Sequence, residues 1–285
     1  MQQVKIFDSI FRMWDRLPLI IKAMVSGAFV SSIGVFTWGG MLSLFPGPWV
    51  ILPMVFILWL FWKVFSGNWG RKDCKEIRKE NFRLTKLVPF VWKWGLMGAI
   101  LFVVIIQSAF VITFRLIEFP AEKFTADYKL LDSFPQWIAW LVLIMSSVVA
   151  GVCEETGFRG YMQVPLEKRY GPVLGIVLTS FVFTLIHIGH TWAFPILPHI
   201  FFASVLLGIL AYRSGSLIPG IIGHSILDIF DYSVWWSDLT GGFVKKTIFK
   251  TGIDIHFIVW ILIFLIALFG FFWIIGKLKR DKVHQ

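Results

Sequence analysis

The sequence predicts an all-α, polytopic membrane protein of about eight transmembrane helices. Three observations carry this. Apolar residues fill 57% of the 285 positions and charged residues only 15%, against roughly 45–50% and about 25% in soluble domains. The surplus falls in blocks long enough to cross a hydrocarbon core of about 30 Å, which takes about 20 helical residues. Cations collect between alternate blocks, as the orientation of membrane helices requires.

The elements follow from where the apolar runs start and stop. The chain start lacks the short apolar core and small-residue cleavage site of a signal peptide. Arg12 and Arg16 stand beside Phe7, Ile10, Phe11 and Trp14, so this lead-in could lie in the membrane interface or form a plain loop. Spans are expected at about 18–45, 48–66, 88–114, 134–154, 171–190, 194–212, 216–234 and 255–276. The first is long and glycine-rich, which favours a kink or a tilt. A turn over 167–172 joins the fourth and fifth, with Gly171 and Pro172 as breakers. Three regions result: N-terminal helices with a basic loop over 1–133, a polar-bearing core over 134–234, and a loop with the final helix over 235–285.

With eight spans both termini share a side. That side carries Lys5, Arg12, Arg16, the cations from Arg71 to Lys86, Lys168, Arg169, Arg213 and the cluster from Lys277 to Lys282. The other side has fewer: Arg115, Lys123, Lys129, Lys245, Lys246 and Lys250. Both termini are therefore placed in the cytoplasm. The net charge of +10 is accounted for by this asymmetry and by anionic lipid. No basic soluble module is present that would bind nucleic acid. Cys74 lies in the basic loop and Cys153 inside a span, so no structural disulfide is expected, and Cys153 reads as a small apolar filler.

The polar residues of the core form three motifs inside apolar segments, where ionisable groups are costly and mark function. In the first, Glu155 and Arg159 stand four residues apart with the glutamate first, the favourable order for a helical pair. One arginine satisfies one carboxylate, so Glu155 and Arg159 are assigned to architecture and the remaining Glu154 to chemistry. In the second, Phe183 shares a helix face with His187. Counting from Tyr170, Glu154 lies sixteen residues back and His187 seventeen forward, roughly 24–26 Å along each arm if both are helical. The two groups would face each other at similar depth, with Pro165 and Gly157 free to kink the first arm. In the third, His224 and Asp228 share a face, and Asp228 could orient the imidazole or join it against a developing oxyanion. Asp231 is expected near the surface in a solvated role. His190, at a metal-compatible spacing from His187, and His199 are expected near the extracytoplasmic end, and His256 at the interface. The first three spans hold Lys93 and Gln107 but no evident site.

Together the motifs, EETGFR at 154–159, FTLIH at 183–187 and HSILD at 224–228, resemble the CAAX protease and bacteriocin-processing (CPBP, or Abi) family of intramembrane proteases. The resemblance covers about 134–234 and implies hydrolysis of a peptide bond in a membrane protein or lipidated peptide, within the bilayer of a bacterial cell membrane. It implies that Glu154 activates water with His187, that His224 and Asp228 stabilise the oxyanion, and that Glu155, Arg159 and Phe183 support them. Asp228 departs from the asparagine of the prenyl-protease branch, which shifts its expected role toward orienting His224. The family also includes proteins linked to bacteriocin maturation, self-immunity and pheromone processing. Glu154, His187 and His224 could supply three zinc ligands, but zinc would consume the residue needed as general base, and a metal-independent glutamate site is the favoured reading. Two other classes stay open at this point: a proton- or ion-coupled transporter, since buried Glu, His and Asp also build ion paths, and a non-catalytic immunity scaffold.

Overall fold

The computed structural model describes residues 13–83, 87–125, 129–190, 192–237 and 246–278. Among them there is no β-strand. The helices are α1 (Leu19–Leu44), α2 (Ile51–Phe65), α3 (Lys75–Phe82), α4 (Pro89–Leu116), α5 (Gln136–Tyr170), α6 (Pro172–Ile186), α7 (Leu197–Ser214), α8 (Ile218–Phe230) and α9 (Ile255–Lys277). Most of the expected lead-in lies outside the described residues.

Among the described residues six helices are long and apolar enough to cross a membrane: α1, α2 with its preceding turn, α4, α5, α7 with its preceding turn, and α9. The two other expected spans are helical but short. Helix α6 has 15 residues and α8 has 13, roughly 22 Å and 20 Å of rise. Proline opens both. At its far end α6 gives way to a turn at His187, and α8 passes into a wider coil over Asp231–Trp235. The apolar blocks were thus located, and six of the eight hold a helix long and apolar enough to span.

Lipid replaces water as the solvent of the outer helices, so large apolar side chains point outward there. Phe36, Leu52, Phe56, Leu262, Ile266 and Phe269 are all exposed. The interior is organised around α8, which packs between α4 and α5, while α9 lies along α4 and α6 along α7. Helix α1 is continuous over 26 residues. Two of its glycines serve close packing: a Cβ on Gly27 would sit 2.6 Å from that of Met162, and Gly34 lies directly against Cys153. Cys153 is fully buried in that contact, the apolar filler expected.

Polar clasps close both ends of the bundle. At one end Arg83 pairs with Glu167 at 2.6 Å and Lys168 pairs with Glu80, tying the basic segment to α5. At the other, Arg115 closes α4 by donating to Thr251 Oγ1 at 2.7 Å and Asp254 Oδ2 at 2.8 Å, with His256 Nδ1 at 2.7 Å. Asp254 also caps α9 by accepting the Phe257 N–H at 2.9 Å. His256 is therefore a clasp member, not a bare interfacial group.

The Arg115 hydrogen bond pushes the Asp254 carboxyl down to about 2. A depressed carboxyl stabilises the fold above its unfolded value of about 4 and loses that contribution as the pH falls through about 2. The thermal midpoint of Asp254→Asn in detergent should lie below wild type at pH 6. That gap should narrow as the pH drops below about 4, whereas a pH-independent gap would show that the carboxylate charge is not what stabilises the clasp.

Candidate active site

The site begins with a change of helical pitch. Helix α5 is α-helical from Gln136 to Glu154, widens into a π-helical stretch over Glu155–Met162, and returns to α-helix for Gln163–Tyr170. Wide turns of this kind are held by tertiary contacts and frequently mark functional sites. Here α1 supplies the contact: Gly157 meets the backbone at Gly27 and Ser31 so closely that a Cβ would lie 2.8 Å from Ser31 N. Thr156 turns its hydroxyl back onto the Val152 carbonyl at 2.7 Å. The arm is widened at this point, and the 35-residue helix runs on past it.

The change of pitch falls between the two glutamates and separates their environments. Glu155 is fully buried and holds Arg159 at 3.0 Å, with Arg159 also fully buried. Arg159 reaches Ser204 Oγ on α7 at 3.0 Å, and its guanidinium lies 4.5 Å over the ring of Phe183. The same Glu155 Oε1 lies 2.8 Å from His224 Nδ1. Glu155 and Arg159 thus form a knot that also fixes a histidine from α8. Gly220 makes room for it, since a Cβ there would stand 3.0 Å from Glu155 Oε2.

Glu154 takes no part in the knot and lines a cavity of about 260 Å³. His187, Phe183, His224 and Asp228 line the same cavity, so all three motifs meet in one place. His224 Nε2 stands 3.8 Å from Glu154 Oε2 and 3.7 Å from Asp228 Oδ1. Both separations exceed a hydrogen bond. The expectation that Asp228 orients the imidazole is therefore corrected: Glu155 does so, because it reaches Nδ1 directly. His187, the first residue beyond α6, donates from Nδ1 to the Phe183 carbonyl at 2.7 Å. That bond fixes the tautomer and leaves Nε2 as the nitrogen able to act on a ligand. Phe183 is the packing hub, with ring centroids 5.0 Å from Phe158, 4.7 Å from His187 and 6.2 Å from His224.

Several cavity residues escaped the motif reading. Asp231 is not a solvated surface group: it is 8% exposed, lines the cavity and accepts from Gln107 Nε2 at 2.6 Å. Gln107 in turn accepts from Trp235 Nε1 at 3.0 Å. Its signal was a lone amide inside an apolar span. His190 and His199 both line the cavity. His199 is 2.9 Å from Thr113 Oγ1 and stacks on Phe110, while His190 stacks on Trp192 with centroids 4.7 Å apart. Helix α1 adds Val35 and Trp38 to the wall, and Trp38 is pinned by donating to Ser146 Oγ at 2.8 Å. Among the described residues no group of three or more His, Cys, Asp or Glu side chains converges in a way that could hold a metal ion. The proposed zinc set of Glu154, His187 and His224 does not form one.

Comparison with known proteins gives one positive finding. Residues 135–230 match the family model Rce1-like, described as type II CAAX prenyl endopeptidase Rce1-like. No curated protein and no solved structure matches the chain. The matched segment runs from the start of α5 to the end of α8 and contains every motif residue named above.

Proposed function

We propose, from the premise that residues 135–230 form an Rce1-like type II CAAX prenyl endopeptidase domain, that the protein is an intramembrane endopeptidase with Glu154 as its general base. One observation carries the assignment: of the two adjacent glutamates, Glu155 is consumed by Arg159 and His224, and Glu154 faces the cavity with no basic side chain within hydrogen-bond distance.

Glu154 takes a proton from water as the water oxygen attacks the scissile carbonyl. His187 Nε2, its ring held through Nδ1, orients that water. The negative charge moves onto the carbonyl oxygen, where His224 Nε2 and Asp228 stand. With Nδ1 committed to Glu155, His224 donates from Nε2 as the doubly protonated ring, and Asp228 donates when protonated. Collapse of the intermediate breaks the C–N bond. Glu154 returns its proton to the leaving amine, so no metal is needed to balance the step.

The substrate is a peptide associated with the membrane, lipidated or otherwise anchored, and processing of a prenylated, bacteriocin or pheromone precursor fits the site. We further place both termini in the cytoplasm of a bacterial cell, on the side where the Arg83–Glu167 clasp lies.

The test is cleavage of a quenched membrane-peptide library by purified, reconstituted protein, with and without chelator. Cleavage that withstands chelator is the expected result. Loss with chelator and recovery with zinc would transfer the chemistry to a metal, and substrate-driven ion flux without cleavage would favour a carrier.

A further inference from the structure

The chemistry proposed above leaves one buried acid of the cavity without a task. Asp231 lies outside the matched segment, and so does its partner Gln107 on α4. The arrangement around it is built. Trp235 donates to the Gln107 carbonyl oxygen, which fixes the amide so that its NH₂ faces Asp231. The Asp231 backbone carbonyl is tied to the Trp236 N–H at 3.1 Å. A carboxylate held this rigidly cannot turn away from the cavity that it lines.

Among the acids lining the cavity it is also the one with no ion-pair partner within 4 Å among the described residues. Glu155 has Arg159, and Glu154 and Asp228 share the neighbourhood of His224 at 3.8 and 3.7 Å. Among the described residues the hydrogen-bond partner of the Asp231 side chain is a neutral amide. Among the described residues lining the cavity there is no lysine or arginine. Next to Asp231, Tyr232 and Trp236 present aromatic rings on the same wall. An acid in a cavity that aromatic residues also line suits a cation, which gains charge pairing and is drawn to the rings. An apolar side chain in the same place would strip water from the carboxylate and offer nothing in return.

We propose that Asp231, locked by Gln107 and Trp235, is a specificity-determining residue that selects peptides carrying a lysine or arginine side chain near the scissile bond. The inference rests on the endopeptidase reading and names the substrate class that this cavity prefers.

The test compares pairs of membrane peptides that differ only by lysine or norleucine at one position on either side of the cleaved bond. Binding is read by fluorescence on Glu154→Gln protein, and cleavage on wild type. The lysyl peptide at the preferred position should bind about tenfold tighter than its norleucyl twin. In Glu154→Gln/Asp231→Asn that ratio should fall to within about twofold, with partial recovery in Asp231→Glu. Gln107→Met, which leaves the acid in place but unheld, should give an intermediate ratio and serves if the Asp231 variants fail to fold. Equal binding of the twins to Glu154→Gln, or a preference that survives Asp231→Asn, overturns the proposal. A lysine preference in binding without any wild-type cleavage would keep Asp231 as a cation-selecting peptide contact and remove the endopeptidase reading. Cleavage without preference would do the reverse.

Discussion

Glu154→Gln should lower kcat/KM by about 10³-fold or more, with the affinity for an uncleaved peptide changed less than about threefold. The substitution keeps the shape of the side chain and removes only its ability to hold a proton. Among the described residues Glu154 makes no ion pair with an arginine or lysine, and its nearest basic partner is His224 Nε2 at 3.8 Å. The fold should therefore tolerate the change. His187→Ala should cost a similar factor, because the imidazole and the carboxylate act on the same water. The double variant should be little worse than either single one, since groups that act as a unit are not additive. Single-turnover cleavage in proteoliposomes measures all three. Retention of activity within tenfold in Glu154→Gln would place the base elsewhere, and multiplicative losses would separate the roles of Glu154 and His187.

Arg159→Met should be the most damaging substitution for stability. It leaves Glu155 fully buried, with the imidazole of His224 its only remaining ionic partner among the described residues. Removing one partner of a buried pair costs about 3–5 kcal/mol. Part of the same loss follows from packing, because the guanidinium stacks on Phe183 and bonds Ser204. Arg159→Lys should rescue poorly, since an ammonium cannot fill a planar, forked site. Glu155→Gln/Arg159→Met should recover much of the stability, because no charge is then stranded, but not the activity, because His224 loses its anchor. Thermal unfolding in detergent, read beside peptide cleavage, distinguishes the two effects. If the double variant is less stable than Arg159→Met, the knot is held by packing and hydrogen bonding more than by charge.

Much of this was legible in the residues. The spacing of Glu155 and Arg159 announced a pair, and the pair is there at 3.0 Å. The near-equal counts from Tyr170, sixteen and seventeen residues, set Glu154 and His187 on facing arms, and both line one cavity. What the sequence hid were contacts between distant segments. Asp231 was read as a surface group because nothing in its own helix reveals that Gln107, 124 residues earlier, bonds it. Asp228 was credited with holding His224 because the two share a face. A buried glutamate from another helix stood closer to the ring, and distance decided. The widening at Glu155–Met162 was equally hidden, because it depends on the approach of the α1 backbone to Gly157. Apolar composition also says little about whether a segment reaches both membrane surfaces, which is why eight blocks yielded six long helices.

The brevity of α6 has a consequence for the supply of the second reactant. Fifteen residues rise roughly 22 Å, about 8 Å less than the hydrocarbon thickness. Lipid beside that helix must thin, or the turn that follows it must sit beneath the headgroups. Either adjustment brings hydrated headgroups down toward His187, the residue at which α6 ends and one that lines the cavity. Hydrolysis consumes a water molecule at every turnover, and a local dimple in the bilayer on the Arg115 face would deliver it without a permanent channel through the protein.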